Sequence, residues 1–591
     1  MTENQPELYF RAVGHLPLAR AVLDDLGISE VIEEVLPKHP LSKISDAECA
    51  TAFILNLLSS GPAMYRMDWW LQRLDTDLLF GKGVSAAAFN DTRLATALDH
   101  LDAAGTDTIL AKVVERFLSR PGRETVYSVH HDTTSVSLYG KYEDAEDPVP
   151  KLGFSKKHRP DLKQLIFGLS LHGSAGLPLA MTVTEGSTPD SKAARDHLAL
   201  LAKRLPPEDE VTFVTDCKGF DAITAGQILG QGFHFVSLVA DTFGIRRKLI
   251  EEAWKDRPDL EKWPILAKKP GRLKDAPWTA YRGASVVRPF RVLLNNKTDP
   301  PKSSFEELRF LVVYSDALAE HFDAALPKRL DRERENLEKE VAKLNKTGFV
   351  CEPDASIAAA AFTKKAVFLK VVPRCIAKEK TLKRNRRGRP RKEETPIIET
   401  TWHIELTTEP DKAIITEARK RASCFVLVTD WLPEMWDDEK VLAEYRHQSI
   451  IEGHTGFRWI KGPAAVEPVF LKTPTRIRAM GLLLVLALMV RNYIQATLRN
   501  HLKTNNETLP HPFTHKEVTN LTTEMAMAHF GGIQTGTFTL PDGSQVCPPP
   551  PLSSAALRIL AVFGVDREIF AKPHGRFQRK IAPDPRGTPG M

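Results

Sequence analysis

Three carboxylates stand where a carboxylate needs explaining. The stretch Val126–Tyr139, VYSVHHDTTSVSLY, is rich in the valine, tyrosine and threonine that fit a pleated strand, yet Asp132 interrupts it. Asp216 ends the apolar run VTFVT and is followed by Cys217, Lys218 and Gly219. Glu452 lies in AEYRHQSIIEGHTGFRWIKGP, where Tyr445 and Gln448, seven and four residues earlier, share its face of an α-helix. Singly, each has an ordinary explanation: a solvated strand aspartate, a turn-opening aspartate, a surface ion pair. Brought together in a cleft they would repel one another, and the natural counterweight is a divalent cation. Oxygen ligands of this kind select Mg²⁺ or Mn²⁺. Two such ions ~3.5–4 Å apart can activate a water or a 3′-hydroxyl and stabilise the leaving oxygen of an in-line phosphoryl displacement. His130, His131 and His454 flank these positions, but their spacing is not a zinc ligand set, and they read as core or supporting residues.

An ordered series of elements must position the carboxylates. A strand over Val126–Leu138 is followed by a second over Leu162–Leu171, the turn HGSAG and a third over Leu177–Thr184, a hairpin pattern. A helix capped by Asp190 or Ser191 covers KAARDHLALLAKRL, and strand Val211–Thr215, helix Ala222–Leu229 and strand Phe233–Val239 follow. A hairpin start continued by right-handed crossovers predicts an α/β fold, a mixed sheet covered by helices. In the ribonuclease-H-like version of that order the first and fourth strands are neighbours, which brings Asp132 beside Asp216.

Around this core, residues 1–122 read as a helical domain expected to bind DNA ends, with Ser29 placed to cap EVIEEVL and Ser45 or Asp46 to cap ECATAFILNLL. The core's first part spans 123–240. Residues 241–436 read as a β-rich insertion with a charged helical arm (327–346, Leu330, Leu337, Val341 and Leu344 on one stripe) and the basic linker KRNRRGRPRK. Residues 437–500 complete the core, with a long helix starting near Asp437 and another over Leu482–Arg499. Residues 501–591 form a C-terminal region with a proline-rich, partly mobile tail. A chain of 591 residues is too long for one core; 42% hydrophobic and 26% charged residues argue against global disorder. The net charge of +6 is compatible with nucleic acid without requiring it. Six cysteines with no Cys-x-x-Cys pair fit a reducing cytosol. The apolar run AMGLLLVLALMV falls short of the ~20 residues that span a bilayer, so a buried core helix and no membrane association are expected.

The blocks HHDTTSVSLYG, VTDCKGFD and YRHQSIIEGHTGFRWIKGP with the following FLKTPTRIRAMGLLLVLALMV resemble the three catalytic blocks of bacterial insertion-sequence transposases. The likeness is to the DDE class, in the branch with a β-rich insertion and a tyrosine–arginine–glutamate–lysine signature. It extends through FSKKHRPDLKQLIFGLSL, GLPLAMTVTEGSTPDS and the helical entry region, covering roughly residues 15–500. It implies a ribonuclease-H-like catalytic fold and Asp132, Asp216 and Glu452 as catalytic ligands of two Mg²⁺ ions, with Mn²⁺ a substitute. It also implies cleavage of element ends with 3′-hydroxyl strand transfer, double-stranded DNA (terminal inverted repeats and target) as partner, a homodimer on DNA, and a bacterial, nucleoid-associated protein. This chain departs from the signature at two places. Gln448 stands where the family has arginine, and Trp459 where it has lysine; Lys461 follows two residues later. Nine residues beyond Glu452, at ~100° each, Lys461 faces away on a straight helix, unless Gly453 and Gly456 permit a break; Arg458 is the alternative basic partner.

Tyr445, Gln448, Arg458 and Lys461 are accordingly candidates for contacting DNA, as is the patch Lys156, Lys157, Arg159 and Lys163 before the second strand. Arg386, Arg387, Gly388, Arg389, Pro390 and Arg391 resemble an AT-hook, which lies extended in a narrow A·T-rich minor groove. Trp254, Trp263 and Trp278 are core residues or stacking platforms for an extruded base. Two other classes share the scaffold: a catalytically silent DNA-binding derivative, and a ribonuclease-H-like nuclease without strand transfer. Metal-dependent cleavage separates the first, and strand transfer of pre-cleaved ends the second.

Overall fold

The β-branched residues of Ser128–Leu138 favour strand β1, followed by β2 (Lys163–His172), β3 (Pro178–Glu185), helix α1 (Asp190–Arg204), β4 (Thr212–Thr215), α2 (Ala222–Gly230) and β5 (His234–Leu238). The computed structural model describes residues 8–120, 125–142, 147–153, 159–206, 208–270, 278–295, 302–381, 398–453, 455–462, 471, 473–540 and 544–574. β1 pairs antiparallel with β2, and β2 with β3, whereas β1–β4 and β4–β5 are parallel. The order 3-2-1-4-5 follows from the hairpin start and the crossovers, and it sets the first and fourth strands side by side, as the sequence led us to expect.

The sheet does not end there. β6 (Ile265–Lys269), β7 (Thr279–Asn295), β8 (Lys302–Ser315) and β9 (Cys424–Thr429) extend it to nine strands, with β9 antiparallel to β5 and then β8, β7 and β6 in turn. The strands of the β-rich segment therefore continue the central sheet. The reason lies in β8, where Leu308 to Tyr314 are consecutively buried, a pattern that demands cover on both faces. What does form its own small core is the charged arm. Helices Asp316–Asn345 and Glu352–Lys365 pack on the antiparallel pair Leu369–Thr381 and Ile398–Pro410 through Leu337, Val341, Phe362, Leu369 and Ile404. Leu344, expected on the same stripe, is exposed. Trp263 is buried against Trp254, which also meets Tyr314 edge-on, so these two are core residues; Trp278 is exposed.

Glu452 arrives on a broken helical segment: α3 (Asp438–Arg446), α4 (Ser449–Glu452) and α5 (Phe457–Ile460). The long helix expected from Asp437 onward is thus interrupted after Arg446. Helix α6 (Pro474–Thr504) follows and is buried along Leu482–Val490. It has the length and apolarity of a membrane span, but 83% of its most apolar window is buried inside the protein. Gly481 lets α6 lie directly on the sheet, since a Cβ there would come within 2.6 Å of the Phe167 ring.

The N-terminal helices dock on α6. Arg476 makes a bidentate pair with Asp99 (2.7 and 2.7 Å), and Arg478 one with Asp102 (2.6 and 2.8 Å). Ser45 and Glu48 form a reciprocal capping box at the helix Asp46–Leu58. Ser29 lies inside its helix, capped instead by Gly27, and bonds Thr51. Residues 509–540 and 544–574 are folded back onto this region: strand Gln534–Thr539 pairs with Leu8–Ala12, and the proline-rich run leads into helix Ser554–Val562. The tail expected beyond residue 574 lies outside the described residues.

Candidate active site

Residues 130–134 of β1 alternate cleanly between the two faces of the sheet. On one face His131 contacts Ser170 (3.2 Å), which contacts His197 of α1 (2.8 Å), and Thr133 donates to Asp190. Burial lowers the His131 pKa to about 3, so this ring is a neutral core group. The opposite face carries His130, Asp132 and Thr134, and against it lie the segments that carry Glu452.

Asp132 is half-buried, and its Oδ1 accepts from the Thr133 amide (2.7 Å). The last register pair between β1 and β4 is His131–Thr215, so Asp132 and Asp216 follow one step beyond on their two strands. β4 stops there while β1 runs on to Leu138, which leaves Asp132 facing a crevice where its neighbour has ended. That is why a strand tolerates aspartate at this point. Asp216 is fixed by amides of Lys218 (2.9 Å) and Gly219 (3.0 Å), an Asx turn that holds its carboxylate at the strand end.

Gln448 ties the Glu452 segment to this strand. Its Nε2 donates to His131 O (2.9 Å), and its Oε1 faces His130 Nδ1 (3.1 Å). At 7% exposure its side chain is occupied by the helix–strand contact. One turn earlier, burial pushes the Tyr445 phenol well above its ordinary pKa, and the negative charges of Asp216, Glu452 and Asp132 add to the effect. Glu452 itself is exposed at the end of α4.

The glycines do permit a break. α4 ends at Glu452, Gly453 is extended, and α5 starts after Gly456. A Cβ on Gly456 would lie 1.9 Å from Ile451 O, so only glycine permits this return. The bend swings Lys461 back, and its ammonium donates to Thr134, two residues from Asp132 on the same face. Arg458 is exposed on α5. Of the two basic candidates, the structure brings Lys461 to the carboxylate face.

The other candidates fall elsewhere. Lys163 pairs with Leu138, six register steps along β1 from Asp132, or about 20 Å at ~3.3 Å per residue. Its ammonium donates to the carbonyls of Lys141 and Tyr142. Arg159 is paired with Asp161 (2.9 and 2.8 Å). Lys156, Lys157 and the segment Arg386–Arg391 lie outside the described residues, although the strands flanking the latter pair at Thr381 and Ile398. A cleft of about 270 Å³ beside the site is lined by Thr133, Thr134, Gln164, Asp190 and Lys218. Thr134 and Lys218 were not singled out from the sequence; period-two alternation from Asp132 identifies Thr134.

A family described as a domain of unknown function (DUF4277) matches residues 8–115, the helical entry region. No curated protein matches the chain. Among solved structures the chain is similar to a piggyBac transposase synaptic complex with hairpin DNA, determined by cryo-electron microscopy, at a TM-score of 0.25 and 10% identity. That likeness covers 51% of this chain and 63% of the other, less than two thirds of its length, and it carries no argument about function.

Proposed function

We propose that this chain is a DNA transposase of the DDE class. On this reading its core is ribonuclease-H-like, and it cleaves the ends of its own element and joins the 3′-hydroxyls to target DNA. The observation that carries the reading is the shared face: Asp132 and Asp216 at adjoining strand positions, and Glu452 on a segment clamped to the same strand by Gln448. The sequence blocks around these residues point the same way.

The donor set fits a pair of hard divalent cations, because carboxylates gathered on one face of the sheet would repel one another without a counter-charge. Asp132, Asp216 and Glu452 would hold them. When bound, such ions activate the attacking oxygen and stabilise the leaving one. The chain's own residues do the rest. The Asx turn fixes Asp216, the Gln448 clamp sets the depth of Glu452, and Lys461 presents a positive charge beside Thr134 where a DNA phosphate would lie. Pairing of two element ends implies at least a dimer on DNA.

The test uses purified protein, Mg²⁺ and DNA carrying the sequences that flank the gene. Nicking or cleavage by the wild-type chain, abolished in Asp132→Asn with DNA binding retained, is the expected result. Full cleavage by Asp132→Asn would overturn the assignment. Binding without cleavage by the wild type would leave a silent derivative, and cleavage without joining of pre-cleaved ends a nuclease.

A further inference from the structure

A second cluster lies beside the carboxylates and has a different ligand chemistry. His130, Glu444 and His447 each present one ligand atom, all within 4.8 Å of one another. His130 is fully buried on β1, Glu444 lies on α3, and His447 stands exposed at the α3–α4 break. The two imidazoles meet edge-on, with centroids 5.3 Å apart. None of the three is among the carboxylates that would hold the catalytic ions.

The hydrogen bonds around His130 define what its free nitrogen can do. Gln448 Nε2 donates to His131 O, so its amide oxygen is the atom facing His130 Nδ1, and Nδ1 carries the proton. His130 Nε2 then directs its lone pair towards Glu444, whose Oε1 is 3.0 Å away. Both atoms are buried, their mutual approach falls outside good hydrogen-bond geometry, and Glu444 also leans on Ser128. Close approach with misaligned lone pairs suits two ligands of one ion, whose lone pairs converge on a point beside the N···O line. The Gln448–Nδ1 contact is the outer partner that orients a metal-bound histidine.

We propose that His130, Glu444 and His447 form a site for a borderline divalent transition ion, Zn²⁺ foremost, with water completing the coordination on the exposed His447 side. Two imidazoles and a carboxylate suit such an ion better than Mg²⁺, which prefers oxygen donors. The ion would rivet α3 to β1 two residues from Asp132 and set the position of the segment that carries Glu452. The site is independent of the transposase reading and fails or stands without it.

The untagged full-length chain, stripped of metal, is titrated with Zn²⁺ against a chromophoric chelator with Mg²⁺ in excess, and with Co²⁺ while its visible absorption is recorded. We expect one tight Zn²⁺ per chain and a Co²⁺ band. Both are lost in His447→Ala, with affinity falling by at least about a hundredfold, the upper end of what loss of an outer partner alone costs. His447 is exposed, so its removal leaves the fold intact, and circular dichroism checks this. Asp132→Asn must retain the site. Equal Zn²⁺ affinity in wild type and His447→Ala overturns the proposal and leaves only a His130–Glu444 side-chain contact, and loss in Asp132→Asn instead assigns the ion to the carboxylates.

Discussion

Replacing Gln448 with methionine keeps the side chain's bulk and removes both polar contacts that fasten the Glu452 segment to β1. The His131 carbonyl and the His130 Nδ1–H group, both buried, would lose their partner. An unsatisfied buried group costs ~1–3 kcal/mol, so the two together weaken the segment by about 3 kcal/mol. The chain has several cores, and a global unfolding curve would blur this; amide hydrogen exchange reads it locally. Opening of residues 438–460 should accelerate roughly a hundredfold, at ~1.4 kcal/mol per tenfold, while α6 and the N-terminal helices keep their protection. Metal-dependent cleavage should fall with it, since the segment carrying Glu452 would no longer be fastened to β1. Unchanged exchange across 438–460 would refute the argument and require another element to hold Glu452 in place.

Further outcomes follow from the same geometry. Gly456→Ala should force the α4–α5 return open and abolish the Lys461–Thr134 contact, seen as loss of cleavage with protection of α6 retained. Lys461→Ala should weaken cleavage and DNA binding more than Arg458→Ala does, and equal effects in both assays would contradict the placement of Lys461. His15, whose pKa burial lowers to about 4, binds protons more readily when unfolded. Stability of the N-terminal helical region should therefore be constant above pH 6.5 and decline as pH falls towards 4, by up to about 2 kcal/mol at pH 5. His15→Gln should flatten that slope in a pH series of thermal unfolding.

Much of this arrangement is legible in the sequence because it rests on periodicities. The order of strands and helices from Ser128 to Leu238 follows from apolar runs and turn residues, and the neighbouring of β1 and β4 follows from connection rules. The extension of the sheet by β6–β9 is not, because the consecutive apolar run of β8 reports burial on both faces without naming its neighbours. The interruption between Arg446 and Gly456 was visible only in part: the glycines mark the second break, while nothing at His447 marks the first. Gln448 reads as a departure from an arginine, and only its burial against β1 gives it work of its own. The cluster of His130, Glu444 and His447 escapes local spacing because one ligand comes from a strand and two from a segment over three hundred residues later.

The central claim is that Asp132, Asp216 and Glu452 jointly hold a pair of divalent ions. Electron paramagnetic resonance of Mn²⁺ bound to the wild-type protein with DNA, after one equivalent of Zn²⁺ has filled the histidine cluster, tests it most directly. The account predicts spin-coupled Mn²⁺ at a separation of ~3.5–4 Å, lost separately in Asp216→Asn and in Glu452→Gln. A coupled pair that persists in Glu452→Gln, or isolated Mn²⁺ alone in the parent protein, would contradict it.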